Sequence, residues 1–64
     1  MTQKELLYVE DAIGHEDNII SIIKESIENL EDKELVSYME DEIDMHQSIR
    51  EKLMKLLKEK ANEW

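Results

Sequence analysis

Asn29-Leu30-Glu31-Asp32-Lys33 is the stretch at which the heptad pattern of this 64-residue chain changes register. Before this stretch, positions spaced alternately by three and four residues are apolar with one exception. Continuing the same register beyond it meets only polar side chains, and a second apolar series begins one residue late, at Leu35. Because a tight turn between two helices produces a shift of this kind, we predict an all-α fold, an antiparallel two-helix hairpin.

Two apolar seams flank the break, and each carries ionisable residues near its middle. The first seam contains one carboxylate, and the second contains a carboxylate and an imidazole. Such groups at core positions either bind something or cost stability. The first seam is Leu6, Val9, Ile13, Glu16, Ile20, Ile23, Ile27 and Leu30, and the second is Leu35, Met39, Glu42, His46, Ile49, Leu53 and Leu56.

Composition and capping signals give the bounds of the two helices. The chain has no Pro and one Gly, and it is rich in Glu, Lys, Leu and Met, which favours helix almost throughout. Thr2 and Glu5 fit a capping box, and Asp32 is available as the N-cap of the second helix. The predicted elements of this single domain, 1–64, are helix 3–29, turn 30–33 and helix 33–61, with a fraying end at 62–64.

Both apolar stripes are wider than the contact between two helices requires. Further apolar residues flank the two seams, at Ala12, Ile19, Ile22, Val36, Ile43 and Leu57. A helix pair buries only a narrow seam, so the additional positions imply more than one neighbour for each helix. Since so short a chain buries only a small core by itself, we predict that two hairpins join into a homodimeric four-helix bundle.

Composition also restricts the partners and the location of the chain. Seventeen acidic and eight basic side chains give a formal charge of −9, which repels nucleic-acid phosphates and anionic lipids. No apolar run approaches the length of a membrane span, and residues 1–5 lack the apolar region of a secretion signal. We therefore predict a soluble cytoplasmic protein that binds a second copy of itself and has neither nucleic acid nor membrane as a partner.

Glu16, Glu42 and His46 are the candidate metal-ligating residues. If the turn centres near residue 32, facing positions place Glu16 close to His46, and Glu42 lies one helical turn from His46 on the same face. A two-fold axis along or across the bundle brings the second copy to the same level. The dimer would then offer four carboxylates and two imidazoles in one layer, which is the inventory of a dinuclear metal site in a four-helix bundle. With no Cys in the chain, such oxygen and imidazole ligands suit iron, manganese or zinc.

A structural role explains the same residues equally well. A buried, hydrogen-bonded carboxylate and imidazolium can fix the register of a bundle at some cost in stability. Arg50, one turn beyond His46, could equally neutralise Glu16, which favours this alternative. No nucleophile with its base and no phosphate-binding loop is present, so no catalytic residue is assigned and the chain is not predicted to be an enzyme.

Two residues beside Glu16 have open interpretations. Gly14 lies inside the first helix, where Gly costs about 1 kcal/mol relative to Ala. It either permits a close helix approach or a local bend, or it is a tolerated flaw at the surface. His15 is off the seam, and we expect it to face solvent.

Two stretches, Glu5-Leu6-Leu7-Tyr8-Val9-Glu10-Asp11-Ala12-Ile13-Gly14-His15-Glu16 and Glu40-Asp41-Glu42-Ile43-Asp44-Met45-His46, resemble half of a ferritin-like domain. The likeness is to rubrerythrin-type proteins and to small spore coat proteins of the Coat F type. It implies a ferritin-like bundle, a metal-ligating role for Glu16 and His46, and an association with spores. The family's motif is Glu-x-x-His, whereas this chain has Ile43 three residues before His46 and Glu42 four residues before it. Residues four apart still share a helix face, so Glu42 remains the candidate ligand.

Overall fold

A computed structural model describes residues 1–61, which form two α-helices joined by a short turn. Helix α1 spans Gln3–Glu28 and helix α2 spans Lys33–Ala61, and the described residues contain no strand. The predicted all-helical hairpin is confirmed. Helix α1 ends one residue before the predicted position 29. The predicted fraying at 62–64 lies outside the described residues.

Side-chain caps explain where both helices begin. The Thr2 hydroxyl accepts a hydrogen bond from the Glu5 backbone N–H at 3.1 Å, and the Glu5 carboxylate accepts one from the Thr2 backbone N–H at 2.8 Å. The Asp32 carboxylate accepts hydrogen bonds from the backbone N–H groups of Glu34 at 2.9 Å and Leu35 at 3.1 Å. These oxygens satisfy amides that have no acceptor within the helix. Both predicted caps are confirmed.

The first seam packs as predicted. Ile13 and Ile20 are the most buried side chains of α1, each 8% exposed, and the other residues of that seam are half-buried. Glu16 lies between these two buried isoleucines and is itself half-buried. The three-four spacing of α1 therefore identifies the face that contacts α2.

Four of the seven residues predicted for the second seam lie one position before a residue that faces α1, whereas Met39, His46 and Leu53 face α1 as predicted. Three members of the predicted series, Leu35, Ile49 and Leu56, are 48%, 38% and 49% exposed. The residues that face α1 also follow a three-four series, and they are Val36, Met39, Ile43, His46, Arg50, Leu53 and Leu57. Two adjacent series in α2 are almost equally apolar, so periodicity alone does not choose between them. The charge of Arg50 also makes the series that faces α1 harder to recognise as a seam.

The hairpin is a single layer of two helices. Its Cα atoms extend 49 × 15 × 10 Å. Within the described residues, each helix packs against the other helix on one side. No side chain is fully buried in the described chain. Each helix therefore keeps most of its circumference in solvent, including apolar residues beside the seam.

Candidate functional site

The imidazole of His46 joins the two helices through Glu16. The Nδ1 atom of His46 lies 2.5 Å from Oε2 of Glu16, and the two side chains are 20% and 15% exposed. This contact confirms that positions 16 and 46 face each other across the hairpin. A short hydrogen bond to a carboxylate places the Nδ1 proton between the two groups and orients the ring.

Glu42 approaches the other nitrogen of the same ring. Its Oε2 atom lies 3.8 Å from Nε2 of His46, one turn away in α2, and its side chain is 28% exposed. This distance is too long for a direct hydrogen bond, and it leaves room for a water or an ion near Nε2. Glu42 therefore makes no direct hydrogen bond to the His46 ring.

The two carboxylates meet opposite sides of the imidazole rather than one common point. The ring nitrogens of histidine point away from each other, so an ion bound at Nε2 is not also bound by the Glu16 oxygen at Nδ1. Within residues 1–61, no group of three or more His, Cys, Asp or Glu side chains has the arrangement of a metal site. The cluster of Glu16, Glu42 and His46 does contain a contact between Nδ1 and a carboxylate, which commonly orients a histidine that binds metal through Nε2.

Arg50 pairs with Asp17 and not with Glu16. Its Nε atom lies 2.5 Å from Oδ1 of Asp17, and the two side chains are 37% and 53% exposed. The expectation that Arg50 neutralises Glu16 is therefore not met. The reason is that Asp17 follows Glu16 by about 100° around α1 and projects to the open side of the seam, where a long arginine can reach it.

Gly14 and His15 both face solvent in the hairpin. A Cβ atom built on Gly14 would meet nothing within 4 Å, so Gly14 does not serve a close approach of α1 and α2. The surface interpretation of Gly14 is therefore the one that fits. His15 is exposed, as predicted, and takes no part in the Glu16–His46 contact.

A second feature of the hairpin is an exposed apolar face. Each of its members immediately precedes a residue of the seam. In a right-handed helix the preceding residue lies about 100° back around the axis, and in an antiparallel pair this direction is the same side of both helices. We call this side the apolar face, and its members are Tyr8, Ala12, Ile19, Ile22, Leu35, Tyr38, Met45, Ile49 and Leu56.

The exposed hydrophobic residues concentrate on this face. Among residues 1–61, eight large hydrophobic side chains are exposed, and all of them except Leu7 belong to the apolar face. The opposite side of the hairpin carries polar residues, including the Asp17–Arg50 pair. The sequence pattern identified most of the α1 part of the face as flanking positions. Tyr8, Tyr38 and Met45 are in neither the predicted seams nor the flanking positions, although Tyr38 and Met45 follow Leu35 in three-four spacing.

No helix in the described part of the chain has an apolar stretch long enough to cross a membrane. No family model, curated protein or solved structure matches the chain.

Proposed function

We propose that this protein is a self-associating helical module without catalysis, in which two hairpins pack through their apolar faces into a four-helix bundle. In this proposal the Glu16–His46 pair fixes the register of the bundle core. The observation that supports it is the concentration of exposed hydrophobic side chains on one side of a single-layer hairpin. The protein would act as a cytoplasmic structural or interaction unit, of the spore-coat kind if the ferritin-like resemblance reflects common ancestry.

The exposed surface of the hairpin supports this proposal quantitatively. A compact monomer of 7.7 kDa exposes about 4,300 Å² by the general scaling of surface with mass. The hairpin exposes 5144 Å², which is roughly 800 Å² more. Each partner of a standard protein interface buries about 800 Å². The excess is similar to the area that one partner of such an interface buries.

Sedimentation equilibrium at micromolar concentration tests the proposal, and we expect a dimer. The variant Ile49→Glu places a carboxylate on the apolar face and should give a monomer with reduced helix content. Ser48→Glu is the matched control, because it adds the same charge one residue away at an exposed position off the apolar face. A folded wild-type monomer, or equal behaviour of the two variants, would contradict the proposal.

A second candidate function is metal binding at the site formed by Glu16, Glu42 and His46, with iron, manganese or zinc as the ion. The observation that favours it is the orientation of His46, whose Nδ1 is held by Glu16 while Nε2 is directed toward Glu42. Glu42 and Nε2 would be ligands, Glu16 would position the ring, and the remaining ligands would come from a second copy. A bound ion would supply charge that holds the four helices together.

Elemental analysis of the purified protein and thermal unfolding with added Zn²⁺, Mn²⁺ or Fe²⁺ distinguish the two candidates. Metal binding predicts a stoichiometric ion and a rise in melting temperature that His46→Ala abolishes. Glu40→Ala is the control, since Glu40 is an exposed carboxylate of α2 on the side away from the apolar face. A melting temperature that does not respond to any of the three ions would exclude this candidate.

A further inference from the structure

We infer that the two-fold axis of the dimer runs across the helices, so that α1 packs antiparallel against the partner's α1 and α2 against the partner's α2. This inference rests on the dimer proposed above and specifies its geometry. Two hairpins that share their apolar faces have two symmetric choices, because a two-fold axis lying in the interface runs either along the helices or across them. The residues on the apolar face and the distribution of charge decide between these choices.

The exposed series of α2 is complementary to itself when reversed. In three-four spacing it comprises Leu35, Tyr38, Glu42, Met45, Ile49, Lys52 and Leu56. Around a centre at residue 47, Met45 and Ile49 are each two positions away, and Glu42 and Lys52 are each five positions away. An axis across α2 at this level therefore places Met45 on Ile49 of the second copy. It also places two oppositely charged residues of the series, Glu42 and Lys52, opposite each other.

The exposed series of α1 has the same property around His15. Tyr8 and Ile22 are each seven positions from His15, and Ala12 and Ile19 are three and four positions from it. One axis can serve both helices only if the two centres lie at the same level of the hairpin. The contact between Glu16 and His46 shows that they do, because His15 and residue 47 are the next positions outward from that contact.

The charges at the two ends of the hairpin favour the same arrangement. The turn half, residues 16–46, carries eleven acidic side chains and two lysines. The open half, residues 1–15 and 47–61, carries five acidic and six basic side chains. An axis across the helices places the acidic turn of one copy over the open end of the other, whereas an axis along the helices places the two acidic turns side by side. Because like charges repel, two acidic turns side by side are unfavourable, and the arrangement across the helices avoids this repulsion.

An axis along the helices would also leave the charges of the apolar face without partners. Helix α1 would then pack on α2 of the second copy at equal level, which brings Glu42 beside Ile19 and Lys52 beside Ala12. Each charge would lose water without gaining an opposite charge, which is unfavourable. The arrangement across the helices avoids this cost at both positions.

Charge exchange between positions 42 and 52 tests the inference. The two residues are ten positions apart in one helix, about 15 Å, so they do not pair within a chain. We expect Glu42→Lys and Lys52→Glu each to weaken the dimer by roughly tenfold in Kd, because each creates two like-charge contacts per dimer. The double variant E42K/K52E should recover most of the affinity. Glu40→Lys is the control for net charge, since Glu40 is exposed on the opposite side of α2.

Mixing the two single variants gives a stricter test. In a heterodimer of E42K with K52E, the first chain carries lysine at both positions and the second carries glutamate at both. Position 42 of each chain lies opposite position 52 of the other, so both contacts are attractive. Native mass spectrometry of the mixture should show the heterodimer in excess over the statistical half. A statistical mixture, together with no recovery in the double variant, would overturn the inference while leaving the dimer itself intact.

Cysteine cross-linking locates the axis directly, because the native chain has no Cys. In the proposed arrangement His15→Cys meets its own copy at the axis and should form a disulfide-linked dimer under mild oxidation. Tyr8→Cys is the matched control on the same face, and its copy would lie about 21 Å away along α1. Equal cross-linking of the two variants, or none in a protein that sediments as a dimer, would refute the across-helix axis. Monomers in sedimentation would instead refute the proposed function.

Discussion

Replacing Glu16 and His46 by leucine, singly and together, tests what their contact contributes to the free energy of unfolding. The pair is made at 2.5 Å with 15% and 20% of the two side chains exposed, so both groups have lost most of their water. A hydrogen bond to a charged group contributes about 1.5–3 kcal/mol, and removing one partner leaves the other with its desolvation cost. We therefore expect Glu16→Leu and His46→Leu each to destabilise the protein by about 1–3 kcal/mol.

The double variant should behave differently from the sum of the single ones. With both groups replaced, neither member of this contact is left partly buried without its partner, and the seam of α1 is apolar from Ile13 through Ile20. Replacement of a buried ion pair by hydrophobic residues is often neutral or stabilising by about 1–4 kcal/mol. We expect E16L/H46L to be at least as stable as the native protein, with a coupling energy of about 2 kcal/mol or more between the two positions.

Urea unfolding followed by circular dichroism, at one fixed protein concentration, measures the four members of this cycle. The Asp17–Arg50 pair provides a matched control, because it is also made at 2.5 Å but its side chains are 53% and 37% exposed. Exposed pairs contribute roughly 0.2–1 kcal/mol, so the cycle of Asp17→Asn with Arg50→Gln should give a small coupling. Additive effects at Glu16 and His46 would show that their contact carries no net energy and would refute the reasoning.

Three further predictions concern the helices themselves. Gly14→Ala should stabilise the protein by about 1 kcal/mol and raise the melting temperature by roughly 4–8 °C, because the added methyl group meets open space; an unchanged or lower melting temperature would contradict this. Asp32→Ala should cost about 1 kcal/mol in urea unfolding, and Asp32→Asn much less, since the amide oxygen still caps α2. Hydrogen bonds from the Thr2 backbone and hydroxyl hold the pKa of the Glu5 carboxyl below its usual range. Its contribution is therefore present above the unfolded pKa and is lost as pH falls through the folded one, so amide protection in the first turn of α1 should decline there in the native protein but not in Glu5→Gln.

Sequence alone predicted the features that depend on local signals. The register break at 29–33 identified the turn, and the capping residues Thr2 and Asp32 identified the helix starts, because each acts on amides within three residues. The facing of Glu16 and His46 followed from the position of the turn, because the turn of an antiparallel hairpin fixes which residues of the two helices lie at the same level. These predictions needed no knowledge of the surface of either helix.

The side of α2 that faces α1 could not be predicted in the same way. Val36 and Leu35, or Leu57 and Leu56, are adjacent residues of equal apolar character. In each pair, one residue belongs to the series that faces α1 and the other to the exposed series. A helix with two apolar neighbours carries two seams, and its sequence does not say which neighbour belongs to the same chain. Arg50, one turn beyond His46, was a candidate to neutralise Glu16, but its side chain pairs with Asp17 instead.

The placement of charge on the proposed interface has a physical rationale in specificity rather than in strength. An apolar face of Leu, Ile, Met and Tyr alone would pack in either two-fold arrangement with nearly the same burial, because hydrophobic contact is not directional. A single pair of opposite charges, Glu42 and Lys52, makes one arrangement satisfy both charges and the other satisfy neither. Glu42 cannot fully serve two partners, so a lysine of the second copy at this carboxylate would also repel a cation near Nε2 of His46. If the charge exchange restores the dimer as expected, that result therefore argues for a register-fixing role of the cluster over metal binding. A metal-stabilised dimer that tolerates Lys52→Glu would argue for the opposite.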